Sequence, residues 1–190
     1  MSHDGPADCA SGAGSAAPLE LFAANHRRVH ARVQALQCLG PQLATRGADQ
    51  QVREAALTLR RGFDDAVREQ HEDEELLLFP ALLESMAGSD AVCLRELTDA
   101  LAAEHRALEQ RWRRLRSVLD QVAAGAAAML PADELQAFVG LVQRHLARES
   151  AELLPMAARL LDDAALAHIG LALRARRGAV GADTSATPPA

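Results

Sequence analysis

The segment at residues 70–80 reads Gln-His-Glu-Asp-Glu-Glu-Leu-Leu-Leu-Phe-Pro, and it determines how the rest of the chain is interpreted. An α-helix turns about 100° per residue, so His71 and Glu75, four positions apart, lie on the same helix face. Apolar residues continue this face on both sides, which places an imidazole and a carboxylate in a stripe where polar groups need partners. The pair predicts a metal site whose other ligands come from elsewhere in the chain.

The composition favours an all-α protein. Hydrophobic residues make up 49% of the 190 residues but aromatic residues only 3%, and Ala, Leu and Arg are abundant. This length suits one domain with a sizeable core that needs no disulfides. The three cysteines show no C-x-x-C spacing, and we expect Cys38 and Cys93 to be buried thiols.

The charge and hydropathy patterns exclude several classes of partner. A net charge of -6 gives no global attraction to nucleic acid or to anionic lipid. No apolar run reaches the roughly 18 residues of a membrane-spanning helix, and the N-terminus lacks a basic start followed by a hydrophobic core. These features predict a cytoplasmic protein that binds neither nucleic acid nor a membrane, and they identify no protein partner.

The spacing of apolar residues predicts four long helices and a short additional C-terminal helix. The first helix should run from Pro18 to Gly40-Pro41 and the second from about Asp49 to Ser85. The third should follow a turn and cap at Gly88-Ser89-Asp90 and end at about Ala124. The fourth should start at Pro131 and continue past Pro155, and the fifth should run from Asp162 to about Arg177. The second and fourth helices should bend at Pro80 and Pro155. We expect flexible tails at 1–17 and 178–190, and one bundle domain with the fifth helix at 18–177.

The four long helices form two similar halves. His26 precedes His71, and His105 precedes His145, at similar separations, and each second histidine is followed by Glu at four positions and then by a Leu/Phe-Pro segment. Two helical hairpins with short loops predict an up-down-up-down four-helix bundle, whose helices present side chains to a common interior. Four histidines from four helices should therefore meet near the middle of the bundle.

This constellation favours two iron ions over one. Neutral imidazoles suit divalent iron, manganese or zinc, whereas a carboxylate can bridge two metals and offset their charge. Glu75 and Glu149 are placed to bridge, and His30 and Glu109, each one turn after a candidate histidine, are additional candidate ligands. Aligning the two halves on their prolines places Glu149 opposite Glu74, so Glu74 is the alternative to Glu75.

The motifs resemble those of the hemerythrin-like, or HHE cation-binding, family over roughly residues 19–160. The shared pattern is a His on one helix, His-x-x-x-Glu with Leu-Phe-Pro on the next, and the same order again. The resemblance implies a four-helix bundle around a non-haem, carboxylate-bridged di-iron centre. By motif, its ligands are His26, His71, Glu75, His105, His145 and Glu149.

Two departures separate the chain from the oxygen-carrying members of that family. Those members have a second His one turn after the first on helix three, where this chain has Glu109. They also have an Asp five positions after the last His, where this chain has Glu149 at four. Both differences resemble the broader HHE branch and make reversible oxygen carriage a weaker expectation than metal binding.

The sequence therefore predicts a metal- and ligand-binding protein in preference to an enzyme. Its di-iron centre would bind oxygen or a related small ligand for storage, sensing or stress protection. One alternative is a redox enzyme acting on peroxide or nitric oxide, and another is a regulatory module that reports metal or redox state. Zinc or manganese would also suit these ligands, because availability decides the bound metal as much as affinity does.

Overall fold

The computed structural model describes residues 17–85, 90–126 and 129–183, and the regular structure in these ranges is entirely helical. Two five-residue π-helical segments, π1 and π2, join α2 to α3 and α5 to α6 without a break. The elements are α1 (Ala17–Arg46), α2 (Gln50–Asp73), π1 (Glu74–Leu78), α3 (Phe79–Glu84), α4 (Asp90–Ala123), α5 (Ala132–Arg148), π2 (Glu149–Leu153), α6 (Leu154–Leu160) and α7 (Asp163–Asp183).

The four long helices pack as a closed bundle. Helix α1 contacts α2, α2 contacts α4, α4 contacts α5, and α5 returns to α1, while α7 packs against α1 and π1. Gly47, with φ at 63°, ends α1 in a left-handed turn, and the Asp49 side chain then caps α2 by accepting the N–H of Val52 at 2.9 Å. The all-α prediction is confirmed, and none of the described helices is long and apolar enough to cross a membrane.

The first helix does not end at Gly40-Pro41, so that prediction was wrong. Helix α1 continues to Arg46 with Pro41 inside it. Pro41 lies on the exposed face, while Leu39 and Leu43 on either side of it are buried. The proline removes one backbone hydrogen bond on the water side, and the apolar stripe packed on the core keeps the helix intact.

Three other sequence predictions changed or fell outside the described residues. Cys38 and Cys93 are exposed, because both lie on the solvent faces of α1 and α4 and not in the apolar stripes. Helix α7 continues past Arg177 to Asp183. The predicted turn at Gly88-Ser89 and most of both predicted tails lie outside the described residues.

Two apolar clusters fill the bundle on either side of its middle. One includes the rings of Phe63, Trp112 and Phe138, with the first two centroids 4.6 Å apart. The other includes Leu78 and Leu153 together with residues of α7. His26 and His105 fall between residues of the two clusters on α1 and α4, and His71 and His145 lie near the ends of α2 and α5, before the second cluster begins in π1 and π2. The polar side chains therefore lie at the boundary between two apolar cores.

Candidate metal centre

Two buried carboxylates meet in the middle of the bundle, and each belongs to the first residue of a π segment. Glu74 begins π1 and is 1% exposed, and Glu149 begins π2 and is 0% exposed. The N–H groups of Phe79 and Leu154 donate to the carbonyls of these glutamates, five residues back, and a proline follows each donor. The backbone therefore presents the two carboxylates in the same way from both halves.

One group of donors, which we call position A, lies on one side of the carboxylates. The His105 Nε2 atom is 3.2 Å from Glu74 Oε2 and 3.6 Å from Glu149 Oε1. The His145 Nε2 atom is 2.7 Å from the same Glu149 oxygen. His71 stacks on the His105 ring with centroids 3.8 Å apart, and its ring nitrogen lies within 4.8 Å of those of His105 and His145. Position A thus offers three imidazoles and two carboxylate oxygens.

A second group of donors, position B, contacts the other oxygen of each carboxylate. The His26 Nε2 atom is 3.0 Å from Glu149 Oε2 and 4.0 Å from Glu74 Oε1. The Gln70 side-chain amide donates hydrogen bonds to the same two oxygens, at 3.0 Å and 3.1 Å. Each carboxylate therefore directs one oxygen toward position A and the other toward position B, as a carboxylate that bridges two metals must.

The unpaired polar atoms in this cluster fit a metal centre. Within the described residues, six buried atoms around the two carboxylates have no hydrogen-bond partner, although several approach each other closely. They are His26 Nε2, His71 Nδ1, Glu74 Oε2, His105 Nε2, His145 Nε2 and Glu149 Oε1. Buried donors and acceptors are normally paired, so the five unpaired atoms at position A and the unpaired His26 Nε2 atom at position B favour a bound cation. The nitrogen and oxygen donors suit iron, zinc or manganese.

A comparison with protein families agrees with this geometry. The model of the hemerythrin HHE cation binding domain matches residues 17–157, which include all four long helices. The chain belongs to the hemerythrin HHE cation-binding family. A comparison with curated proteins returned no match. The family assignment and the histidine–glutamate cluster together define a hemerythrin-like cation-binding domain with a site able to hold a metal.

His105 and His145 are each oriented by a carboxylate at the second ring nitrogen. Glu75 contacts His105 Nδ1 at 2.7 Å, and Glu104 contacts His145 Nδ1 at 2.8 Å. Arg106 and Arg148 hold these two carboxylates, each at 3.0 Å. A carboxylate on the second nitrogen fixes the ring and makes the ligating nitrogen more basic.

His26 differs, because its Nδ1 atom contacts the neutral Ser150 hydroxyl at 3.1 Å. An uncharged hydroxyl orients the ring without adding the negative charge that Glu75 and Glu104 supply to the other two imidazoles. His26 is therefore the less strongly activated candidate ligand when compared with His105 and His145.

The charges in the cluster depend on these contacts. Burial alone would lower the pKa values of His26 and His105, but contacts with the buried glutamates outweigh it and raise them to about 9 and about 10. Burial, with the nearby His105 and His145, instead lowers the pKa of His71 to about 2. Burial opposes ionisation of Glu149, but contacts with three histidines hold its pKa well below the usual range.

The pKa of Glu74 shifts in the opposite direction to that of Glu149. Burial and the adjacent charge of Glu149 raise its pKa. Two carboxylates this close and this deeply buried repel one another, and a cation between them would remove the repulsion.

The choice of Glu75 over Glu74 is corrected by the structure. Glu74 lies in the cluster, whereas Glu75 is 28% exposed and contacts His105 Nδ1 and Arg106 from outside it. The face of α2 that meets the cluster contains Gln70 and Glu74, four positions apart, and Glu75 lies about 100° further round. The proline alignment of the two halves is therefore the correct one.

The remaining candidates fall into two groups. The structure brings His26, His71, His105, His145 and Glu149 into the cluster, and their binding of a metal stays a prediction. His30 and Glu109 are exposed, and neither belongs to it. They follow their histidines by four positions, but the inward faces of α1 and α4 continue instead through Val29 and Leu108.

Sequence reasoning missed Gln70 and the two residues that orient its surroundings. Asn25 Nδ2 donates to Gln70 Oε1 at 3.2 Å, and Glu104 contacts His145 from the neighbouring helix. The proline alignment contained the signal for Gln70, because it places this residue opposite His145. No spacing rule indicated Asn25 or Glu104, since both contacts depend on how the helices pack.

The surroundings of positions A and B differ in access. Beside position A lies a small, apolar, enclosed cavity lined by Val29, Val67, Leu108, Phe138 and Val142, among others. Beside position B, an open pocket of about 490 Å³ reaches His26 and is lined also by Arg27, His30, Gln143 and Ser150. The pocket therefore brings solvent to the His26 ring, whereas Glu74, Glu149 and Gln70 do not line it and are buried.

Proposed function

We propose that this chain is a cytoplasmic, non-haem di-iron protein that binds oxygen or a related small ligand, such as peroxide or nitric oxide, for storage, sensing or stress protection. The main observation behind the proposal is that the two oxygens of Glu74, and likewise those of Glu149, face different donor groups. Each carboxylate presents one oxygen to position A and one to position B. A site for one ion would not need this division.

The protein side chains would have distinct roles in this centre. His105 and His145, with His71 beside them, would hold one ion, and His26 would hold the other. Glu74 and Glu149 would bridge the two ions and offset about half of the four positive charges of a ferrous pair. A ferrous pair would supply the electrons that oxygen chemistry needs.

Access and shielding support a binding role. The apolar cores on both sides exclude water from most of the cluster, which protects a reactive ligand from side reactions. The open pocket reaches the His26 ring, which would be the nearest approach from solvent for a small ligand. Arg27 at this pocket adds a positive charge that would favour an anionic form of the bound ligand.

Anaerobic reconstitution of the full chain with ferrous iron tests the proposal. We expect two irons per chain and a new visible absorption that appears only after exposure to oxygen. The variant His145→Ala should lose iron and absorption, whereas His168→Ala, an exposed histidine outside the cluster, should keep both. A chain that takes up no iron would contradict the iron assignment.

The same reconstituted protein separates binding from turnover. A binding protein should hold its ligand with little consumption of added peroxide or nitric oxide. Rapid peroxide loss that disappears in His145→Ala would favour the redox enzyme instead. Peroxide loss that persists in His145→Ala after the same loading and purification would measure the contribution of free iron.

A further inference from the structure

The two halves of the bundle match at the backbone but not at the metal donors. Glu74 and Glu149 begin π1 and π2, and a proline follows six positions after each glutamate. Four positions before these glutamates stand Gln70 in the first half and His145 in the second. By this internal alignment, an amide occupies the place of an imidazole.

The extra histidine of the first half does not replace the missing one. His71 is one position further along α2, and it stacks on His105 at position A. Position A therefore gathers three imidazoles, while position B has only His26 and the amide of Gln70. Imidazole is a stronger ligand than a neutral amide for divalent iron, cobalt or zinc.

Gln70 is also held in an orientation that competes with a metal. Its Oε1 atom accepts a hydrogen bond from Asn25, so its NH₂ group points at the two carboxylates. The amide donates to Glu74 Oε1 and Glu149 Oε2, which are the oxygens that a metal at position B would need. Binding there requires the amide to turn or to withdraw, and either change breaks hydrogen bonds in a buried site.

We propose that the centre binds its two metal ions unequally, tightly at position A and weakly at position B, and that Gln70 sets the difference. The inference rests on the proposed function in one respect, namely that both positions can take a divalent ion. The chain would then carry one metal when supply is scarce and two when it is abundant. The weak ion would be the one beside the open pocket.

Titration of the metal-free full chain with Co²⁺ alone tests this assignment, read by visible absorption and calorimetry. We expect two binding steps whose dissociation constants differ by at least about tenfold. Gln70→His should tighten the second step by about tenfold or more and leave the first unchanged. The matched control is Gln136→His, which adds an exposed histidine on α5 away from the cluster.

Circular dichroism and thermal unfolding should confirm that each variant folds. If Gln70→His does not fold, Gln70→Glu keeps the side-chain length and supplies a charged ligand, and it should tighten the second step as well. Equal steps in the wild-type chain, or a second step unchanged in the folded variant, would overturn the inference. One Co²⁺ in the wild-type chain and two in Gln70→His would support it, while counting against the two-iron proposal.

Discussion

The segment at residues 70–80 and its counterpart at residues 145–155 have the same backbone and different chemistry. Both contain a π segment that begins at a buried glutamate and ends two residues before a proline. The first segment offers Gln70 where the second offers His145. The comparison shows that the fold determines where the carboxylates lie, whereas it leaves the neighbouring ligand free to vary.

A physical reason for this difference lies in the backbone. A proline cannot donate to the carbonyl four residues back, and a π turn gives the preceding carbonyls other partners. The glutamate and the proline are therefore coupled through the backbone of one segment. The residue four positions earlier belongs to the regular helix, where a change of side chain leaves the backbone hydrogen bonds as they are.

The largest expected effect comes from Glu149, which both positions share. Glu149→Gln keeps the shape of the side chain but removes the charge that faces His26, His105 and His145. We expect metal affinity to fall at both positions by more than about 100-fold, beyond the range typical of residues that only orient ligands. Competition with a coloured chelator measures both steps.

The control for Glu149→Gln is Glu152→Gln in the same π segment, where the side chain is 53% exposed. This variant should bind metal as the wild-type chain does. Loss of only one metal in Glu149→Gln would mean that the carboxylate serves one position and does not bridge.

The two π segments should contribute similarly to packing, although the metal donors beside them differ. Leu78 and Leu153 end π1 and π2, and both are fully buried in the same apolar cluster. Each substitution by Ala should lower the free energy of unfolding by about 2–5 kcal/mol, because it leaves a cavity. Urea denaturation of the metal-free chain measures the two values.

Leu76→Ala is the matched control, because Leu76 lies in π1 with 59% of its surface exposed. Its effect should stay within about 0.5 kcal/mol. If either buried leucine could be removed at so small a cost, the two halves would not be equivalent in packing.

The sequence predicted the bundle and most of the cluster, because both depend on periodicity. Helical spacing of apolar residues identified four helices, and the stripe positions of His26, His105 and His145 placed them inside. The π segments could not be read from that spacing, since a rule of four residues per contact assumes a regular α-helix. Glu75 was preferred to Glu74 because the four-residue spacing was counted from His71, whereas the residue that contacts the cluster four positions before Glu74 is Gln70, an amide that a search for imidazoles overlooks.

A smaller effect is expected from the carboxylates that orient the imidazoles. Glu75 and Glu104 contact the second nitrogens of His105 and His145, and each is held by an arginine. Glu75→Gln and Glu104→Gln should each weaken the first metal by about 10- to 100-fold. Calorimetry with Co²⁺ measures the first step.

The control here is Glu109→Gln, an exposed glutamate on α4 outside the cluster. It should leave both metal steps unchanged. A 100-fold loss in Glu109→Gln would return this residue to the list of ligands, and unchanged affinity in Glu75→Gln would remove it from the orienting role.

The smallest effect expected here is a pH dependence that separates His71 from His26 and His105. In the metal-free protein the pKa values of His26 and His105 are raised to about 9 and about 10, so both imidazoles hold a proton at pH 7. A metal binds the neutral ring, and each displaced proton makes affinity rise about tenfold per pH unit until the pH passes that pKa. The pKa of His71 is lowered to about 2, so this ring has no proton to release.

Calorimetry at pH 7 in two buffers of different ionisation enthalpy counts the released protons. His26→Ala should reduce the count for the second metal by about one, whereas His71→Ala should weaken the first metal without changing its proton count. A lower proton count in His71→Ala would show that this ring is protonated in the metal-free cluster and would contradict its lowered pKa.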